Sequence, residues 1–201
     1  MKKIHYAAIG MAAFALLAAI AAYYILSALS PPVSEYHAHA NFAVYLNGTQ
    51  FNFSQEKFMS SGQAPSNPYF HLHDMDGGVL HQHFPNLTLG YFFKTIKMEF
   101  ASACFKTDSN ASFCNDGGSR LRMYVQRANG TMMPNPQFEN YVFEDLDRIL
   151  IIYGNDSQAL ADTVFAKVPD NACIYSNKCP ERGLPPNETS SCTSDSDYCG
   201  D

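Results

Sequence analysis

The sequence has no C-x-x-C pair, no G-x-S-x-G, no phosphate-binding G-x-x-x-x-G-K-[ST] loop and no H-E-x-x-H. These absences argue against a thioredoxin-type redox site, a zinc ribbon, a hydrolase nucleophile elbow, a P-loop nucleotide site and a helical zinc-protease motif. Basic residues are scarce: 13 Lys and Arg stand against 19 Asp and Glu, for a formal charge of -6. Without Lys2 and Lys3 the balance is 11 against 19, or -8. A chain this acidic, with no basic stripe, is a poor nucleic-acid binder, so no nucleic-acid partner is expected. With 16% charged and 13% aromatic residues, and Gly and Pro near average, disorder, a coiled coil and a collagen-like repeat are excluded.

What is present begins with an apolar run. Tyr6 to Leu29 is 24 residues without a charge, preceded by Lys2 and Lys3 and ended by Ser30-Pro31-Pro32. Such a run is long enough to cross ~30 Å of hydrocarbon, and basic residues before it place the following chain outside. A cleaved signal peptide has a shorter apolar region and a small-x-small site behind it. Ala19-Ile20-Ala21 has that form but lies within the run. The expectation is therefore a retained signal anchor over residues 1–30, a single membrane-spanning helix tethering an extracytoplasmic domain to the cell membrane.

Six cysteines follow the run: Cys104, Cys114, Cys173, Cys179, Cys192 and Cys199. An even number in an exported segment predicts disulfides, with 15 possible connectivities. Seven Asn-x-Ser/Thr sequons, at Asn47, Asn52, Asn86, Asn110, Asn129, Asn155 and Asn187, predict a glycosylated surface.

Periodicity places the elements. Ala38, Ala40, Phe42, Val44 and Leu46 alternate with His39, Asn41, Ala43 and Tyr45, the pattern of a half-buried strand. Asn47-Gly48 is a hairpin signal, with Thr49 to Phe53 as the return strand. Tyr69 to His73 and Val79 to His83 read as two strands joined by Asp74-Met75-Asp76-Gly77-Gly78, in a register that sets His81 opposite His71. Thr88 is a helix N-cap for Leu89, Phe92, Phe93 and Ile96, which share one face. Leu121–Gln126 and Arg148–Tyr153 are further strands, and Gln158–Lys167 is a short helix. A Cys104–Cys114 bridge would close the irregular segment before them. Residues 36–168 form one extracytoplasmic domain, and 169–201 a disulfide-held C-terminal tail. The predicted class is α+β, a mixed sheet with one principal helix and an inserted His-bearing hairpin, preceded by the membrane helix.

Two resemblances rest on these residues. The hairpin ending in Asn47-Gly48, the helix at Thr88-Leu89-Gly90 and the closing strand after Asp145-Leu146-Asp147 are similar to a β-grasp domain. The combination of His37-Ala38-His39, His71-Leu72-His73-Asp74-Met75-Asp76-Gly77, His81-Gln82-His83 and Thr88-Leu89-Gly90-Tyr91-Phe92-Phe93 resembles a group of small, membrane-anchored, exported proteins seen mostly in archaea. Cys173 and Cys179-Pro180-Glu181-Arg182-Gly183 also look like that group. The resemblance implies a compartment and a shared His pattern, and no reaction.

Six of the seven histidines form three His-x-His pairs: His37 with His39, His71 with His73, and His81 with His83. Residues i and i+2 of a strand project from one side, so two imidazoles can converge on an ion, and a paired strand ~4.8 Å away supplies more. All three pairs fall on the predicted non-core faces. An all-imidazole set suits Cu, Zn or Ni better than Ca or Mg. The expected cofactor is a Cu or Zn ion, with Cu(II) first. No Cys adjoins a His, which argues against a blue-copper centre. Asp74 and Asp76 read first as turn chemistry and second as ligands or partners of imidazoles. Glu144, Asp145 and Asp147 read as a solvated turn. Met123, Met132 and Met133 read as packing rather than soft copper ligands, and His5 is unassigned. The reading is a membrane-tethered extracytoplasmic metal-binding protein, for metal handling or as accessory to a membrane complex. The alternatives are a metal-dependent enzyme using the same histidines and a glycosylated envelope protein in which they are incidental.

Overall fold

The computed structural model describes residues 16–22, 36–60, 67–155 and 157–185. The chain divides into two units, residues 1–34 and 35–201. In the first, residues 16–22 are helical (α1). Among the described residues no helix is long and apolar enough to cross a membrane. The spanning helix expected over residues 1–30 is corrected to this extent: the seven described helical residues account for only ~10 Å of the ~30 Å of hydrocarbon. The rest of the apolar run lies outside the described residues, as do His5, Asn187, Cys192 and Cys199.

The second unit is built on one large mixed sheet. Its strands are β1 (Ala38–Leu46), β2 (Thr49–Gln50), β3 (Phe70–His71), β4 (Val79–Gln82), β8 (Arg120–Gln126), β9 (Met133–Pro134) and β10 (Arg148–Gly154), in the order β3-β4-β1-β10-β8-β9 with β2 also on β1. The central β1–β10 pair is parallel, and the other pairs are antiparallel. A second sheet holds β5 (Glu99–Ala101), β6 (Cys104–Lys106) and β7 (Ser112–Cys114). The helices are short: α2 (Leu89–Thr95), α3 (Ser157–Val164) and α4 (Ala172–Tyr175).

Alternation in β1 separates two cores. Ala38, Ala40, Phe42, Val44 and Leu46 join Leu89, Phe92 and Phe93 of α2 on one face. Ala43 and Tyr45 join Ala161 and Val164 of α3, with Phe165, on the other. All nine residues of β1 are buried. In β10, Ile149 and Ile151 enter the first core and Leu150 and Ile152 the second, as expected of a continuous apolar strand. Thr88 caps α2 by accepting a hydrogen bond from the Tyr91 N–H.

This arrangement corrects the α+β, β-grasp-like expectation. Helices cover both faces, and none is principal. The Asn47-Gly48 turn forms with both residues at positive φ, 51° and 82°, but its return strand is two residues long. Phe51 still donates from its N–H to the Val44 carbonyl, and beyond it the chain leaves the sheet edge, with the Phe53 ring packed inward 4.9 Å from that of Phe42. β4 then takes the edge of β1 that a full hairpin would occupy, pairing over Ala38–Asn41. The His-bearing hairpin is part of the main sheet, not an insertion.

Among the described residues two disulfides are formed. Cys104 and Cys114 are opposite one another across β6 and β7, and Cys173 is joined to Cys179 around α4. They point to an oxidising, extracytoplasmic environment. The six described sequon asparagines are exposed.

Candidate metal centre

The register of three strands brings the histidines together. His71 of β3 is opposite His81 of β4, as predicted, and His81 is in turn opposite His39 of β1. His37, His73 and His83 lie just beyond the strand ends, on the same side. The six rings form one continuous cluster. Centroids are 4.5 Å apart for His37–His39, 4.3 Å for His37–His83, 4.8 Å for His39–His81, 3.7 Å for His73–His81 and 5.0 Å for His71–His83.

The cluster is on the predicted face, but that face is not solvated. His39, His81 and His71 are 1%, 0% and 5% exposed. The cover comes from the C-terminal segment, where the Tyr175 ring meets His81 edge-on at 4.7 Å and lies 5.7 Å from His39 and 5.8 Å from His73. Burial and the neighbouring His73, His39, His71 and His83 push the His81 pKa well below the ordinary histidine value. A ring held neutral is in the state that binds metal.

Hydrogen bonds fix which nitrogen can bind. His71 Nδ1 lies 3.0 Å from the Asn67 carbonyl. A carbonyl can only accept, so Nδ1 carries the proton. His73 Nδ1 lies 2.8 Å from the Asp74 carboxylate and is protonated for the same reason. In the neutral ring its Nε2 accepts, and His81 Nδ1 donates to it at 2.9 Å. The Ser176 hydroxyl donates to Asp145 Oδ1 at 2.6 Å and therefore accepts from His39 Nδ1 at 2.7 Å. His39, His71 and His81 are thereby left with Nε2 as the nitrogen bearing the lone pair. This is the usual second contact of a metal-binding imidazole.

Among the described residues, one group of three or more His, Cys, Asp or Glu residues has the spacing of an ion site. It is His37, His39 and His81, whose ligand atoms all lie within 4.8 Å of one another. Two of the three are buried, and His37 is exposed. His71, His73 and His83 pack around this trio and are not members of it. His73 instead orients His81.

Several residues take other roles than the sequence predicts. Asp74 is a partner of His73, not merely a turn residue. Asp76 accepts from Gly78 N–H within its own loop, and from Asn171 at 2.8 Å and Tyr175 at 3.4 Å. A Cβ on the next residue, Gly77, would lie 2.3 Å from Ser54 N, so the loop needs glycine there. Of the acidic cluster read as a solvated turn, Glu144 is exposed, but Asp145 and Asp147 are not. Asp147 is fully buried, accepting from Tyr141 and from the Glu144 N–H. Asp145 accepts from the His39 N–H and pairs with Lys178. Burial raises its pKa, but these bonds and that of Ser176 outweigh burial and hold it below the usual carboxylate value. Met123 is buried in the first core, Met132 packs on the second, and Met133 is exposed. Asn171, Tyr175 and Ser176 carried no sequence signal beyond their place next to Cys173 and Cys179, which marked the tail as ordered.

No family model, curated protein or solved structure matches the chain.

Proposed function

We propose that this protein binds a copper or zinc ion outside the cytoplasm, through imidazoles of the histidine cluster, and serves in metal handling: storage, or delivery to a partner at the cell envelope. The carrying observation is the approach of His37, His39 and His81 ligand atoms to within 4.8 Å. Metal–nitrogen bonds of about 2.0–2.1 Å put tetrahedral ligands about 3.3 Å apart, a distance that small ring rotations bring within reach. A neutral, all-nitrogen donor set favours Cu or Zn over Ca or Mg. The tautomers argued above leave the buried pair presenting lone pairs, and the two disulfides fit the compartment.

A metal-dependent enzyme is the second reading. Three histidines leave a fourth position on the ion, as in catalytic zinc sites. Binding ranks first because the group contains no carboxylate to act as general base.

Elemental analysis of the untagged, full-length chain tests the reading. The expected result is one equivalent of Cu or Zn. His37→Ala, an exposed change, should weaken binding without altering the circular dichroism spectrum, and His81→Gln should abolish tight binding. A folded parent that takes up neither metal overturns the proposal.

A further inference from the structure

We infer that the segment Asn171–Ser176 is a cover that completes the metal centre and sets how long it keeps its ion; this rests on the metal reading above. A four-residue helix has no stability of its own. α4 exists because other groups fasten it, and those groups belong to the histidine cluster and its supports. Asn171 exchanges hydrogen bonds with the hairpin and with β1: it accepts from Asn41 at 2.7 Å and donates to Asp76 at 2.8 Å. The Ala172 N–H donates to Asn41 at 3.0 Å. Asn41 is on the same side of β1 as His39, two residues further along the strand.

At the other end of the segment, Ser176 links His39 to Asp145, and Lys178 pairs with the same carboxylate at 2.6 Å. Between these anchors Tyr175 lies against His81, His39 and His73. The Cys173–Cys179 bridge closes the loop that carries Tyr175 and Ser176.

Two consequences follow. Ser176 is a positioning residue: it holds the His39 ring in the tautomer that presents Nε2. Tyr175 closes the side of the cluster away from the first core, so within the trio His37 is the exposed member and the route of exchange. An ion held by His39 and His81 must leave past His37 or wait for the cover to lift. The bridge, by limiting the loop's freedom, makes lifting rare.

The test loads full-length parent and variant chains with one equivalent of Cu(II) and follows its removal by excess EDTA. Tyr175→Ala and the double variant Cys173→Ser/Cys179→Ser should lose copper on the order of tenfold faster or more, the scale of effect seen when outer partners of a metal ligand are removed. Both should still take up one equivalent. Ser176→Ala should shift the Cu(II) absorption and paramagnetic-resonance spectra, and Ser176→Thr, which keeps the hydroxyl, should restore them; a purely structural role would not follow the hydroxyl. Cys104→Ser/Cys114→Ser, remote from the cluster, should release at the parent rate. Release from the Tyr175 and Cys173/Cys179 variants at the parent rate, with no Ser176→Ala spectral change, overturns the cover while leaving the metal reading intact. If the cysteine variant fails to fold, Tyr175→Ala and Ser176→Ala decide the matter alone. A parent chain that takes up no copper or zinc overturns both readings.

Discussion

Burial, together with His73, His39, His71 and His83, keeps the His81 ring neutral below the usual histidine pKa. In the unfolded chain the same ring takes up a proton near pH 6.5. Below that pH the unfolded state binds more protons than the folded one, so stability falls as pH falls. Thermal melts of the metal-free chain between pH 7.5 and 5.5 should show this loss, and His81→Gln should flatten it. The His-x-His pairs were legible because a strand puts i and i+2 on one side. Their burial was not, because the group that contacts His39 Nδ1, Ser176, lies 137 residues away. No local pattern announces a contact at that distance. Asp74 and Asp145 were visible as acids, but their work of fixing His73 and anchoring β1 depends on geometry that spacing does not encode.

Elements with strong periodicity formed where the sequence placed them. α2 buries Leu89, Phe92 and Phe93 and begins at the predicted cap. Thr88→Ala should cost about 1 kcal/mol, read by chemical denaturation, since an N–H of the first turn loses its acceptor. β10 was legible from its unbroken Ile149-Leu150-Ile151-Ile152 core, which suits a strand covered on both faces. In β1, small residues such as Ala43 and polar ones such as Asn41 disguise a second buried face. β2, β3 and β9 are two residues each. Elements that short take their identity from partners, not from their own pattern, so neither the length of the first hairpin nor the fold class that depends on it is legible in the sequence.

The two described disulfides hold different parts of the molecule: one the small sheet, the other the segment against the histidine cluster. Cys104–Cys114 ties neighbouring strands of the small sheet. Replacing both by Ser should lower stability by about 2–3 kcal/mol, on the scale of short cross-linked loops, while the metal equivalents bound per chain stay unchanged. Chemical denaturation and elemental analysis of that variant check the two halves of the statement. The extracytoplasmic reading rests on the apolar run behind Lys2 and Lys3, with the even cysteine number in accord, and both bridges support an oxidising environment. The architecture was less legible, because it depends on which segment covers the second face of the sheet, and that is decided by residues 157–176 meeting β1 and β10.

The parallel pairing of β1 with β10 has a kinetic meaning. The His39 N–H finds its acceptor, Asp145, 106 residues later, and β1 gains its central neighbour only with β10. Contacts of such high sequence separation form late, because a long loop must close before they give any return. A nascent chain thus displays all six imidazoles of the cluster, within residues 37–83, while the strand that flanks β1 on its other edge and the helix that roofs the cluster are still unmade. Any ion captured at that stage meets a loosely held polyhistidine ligand instead of a shaped one, so selectivity for one metal over its neighbours is acquired only when β10 and α4 have emerged and docked.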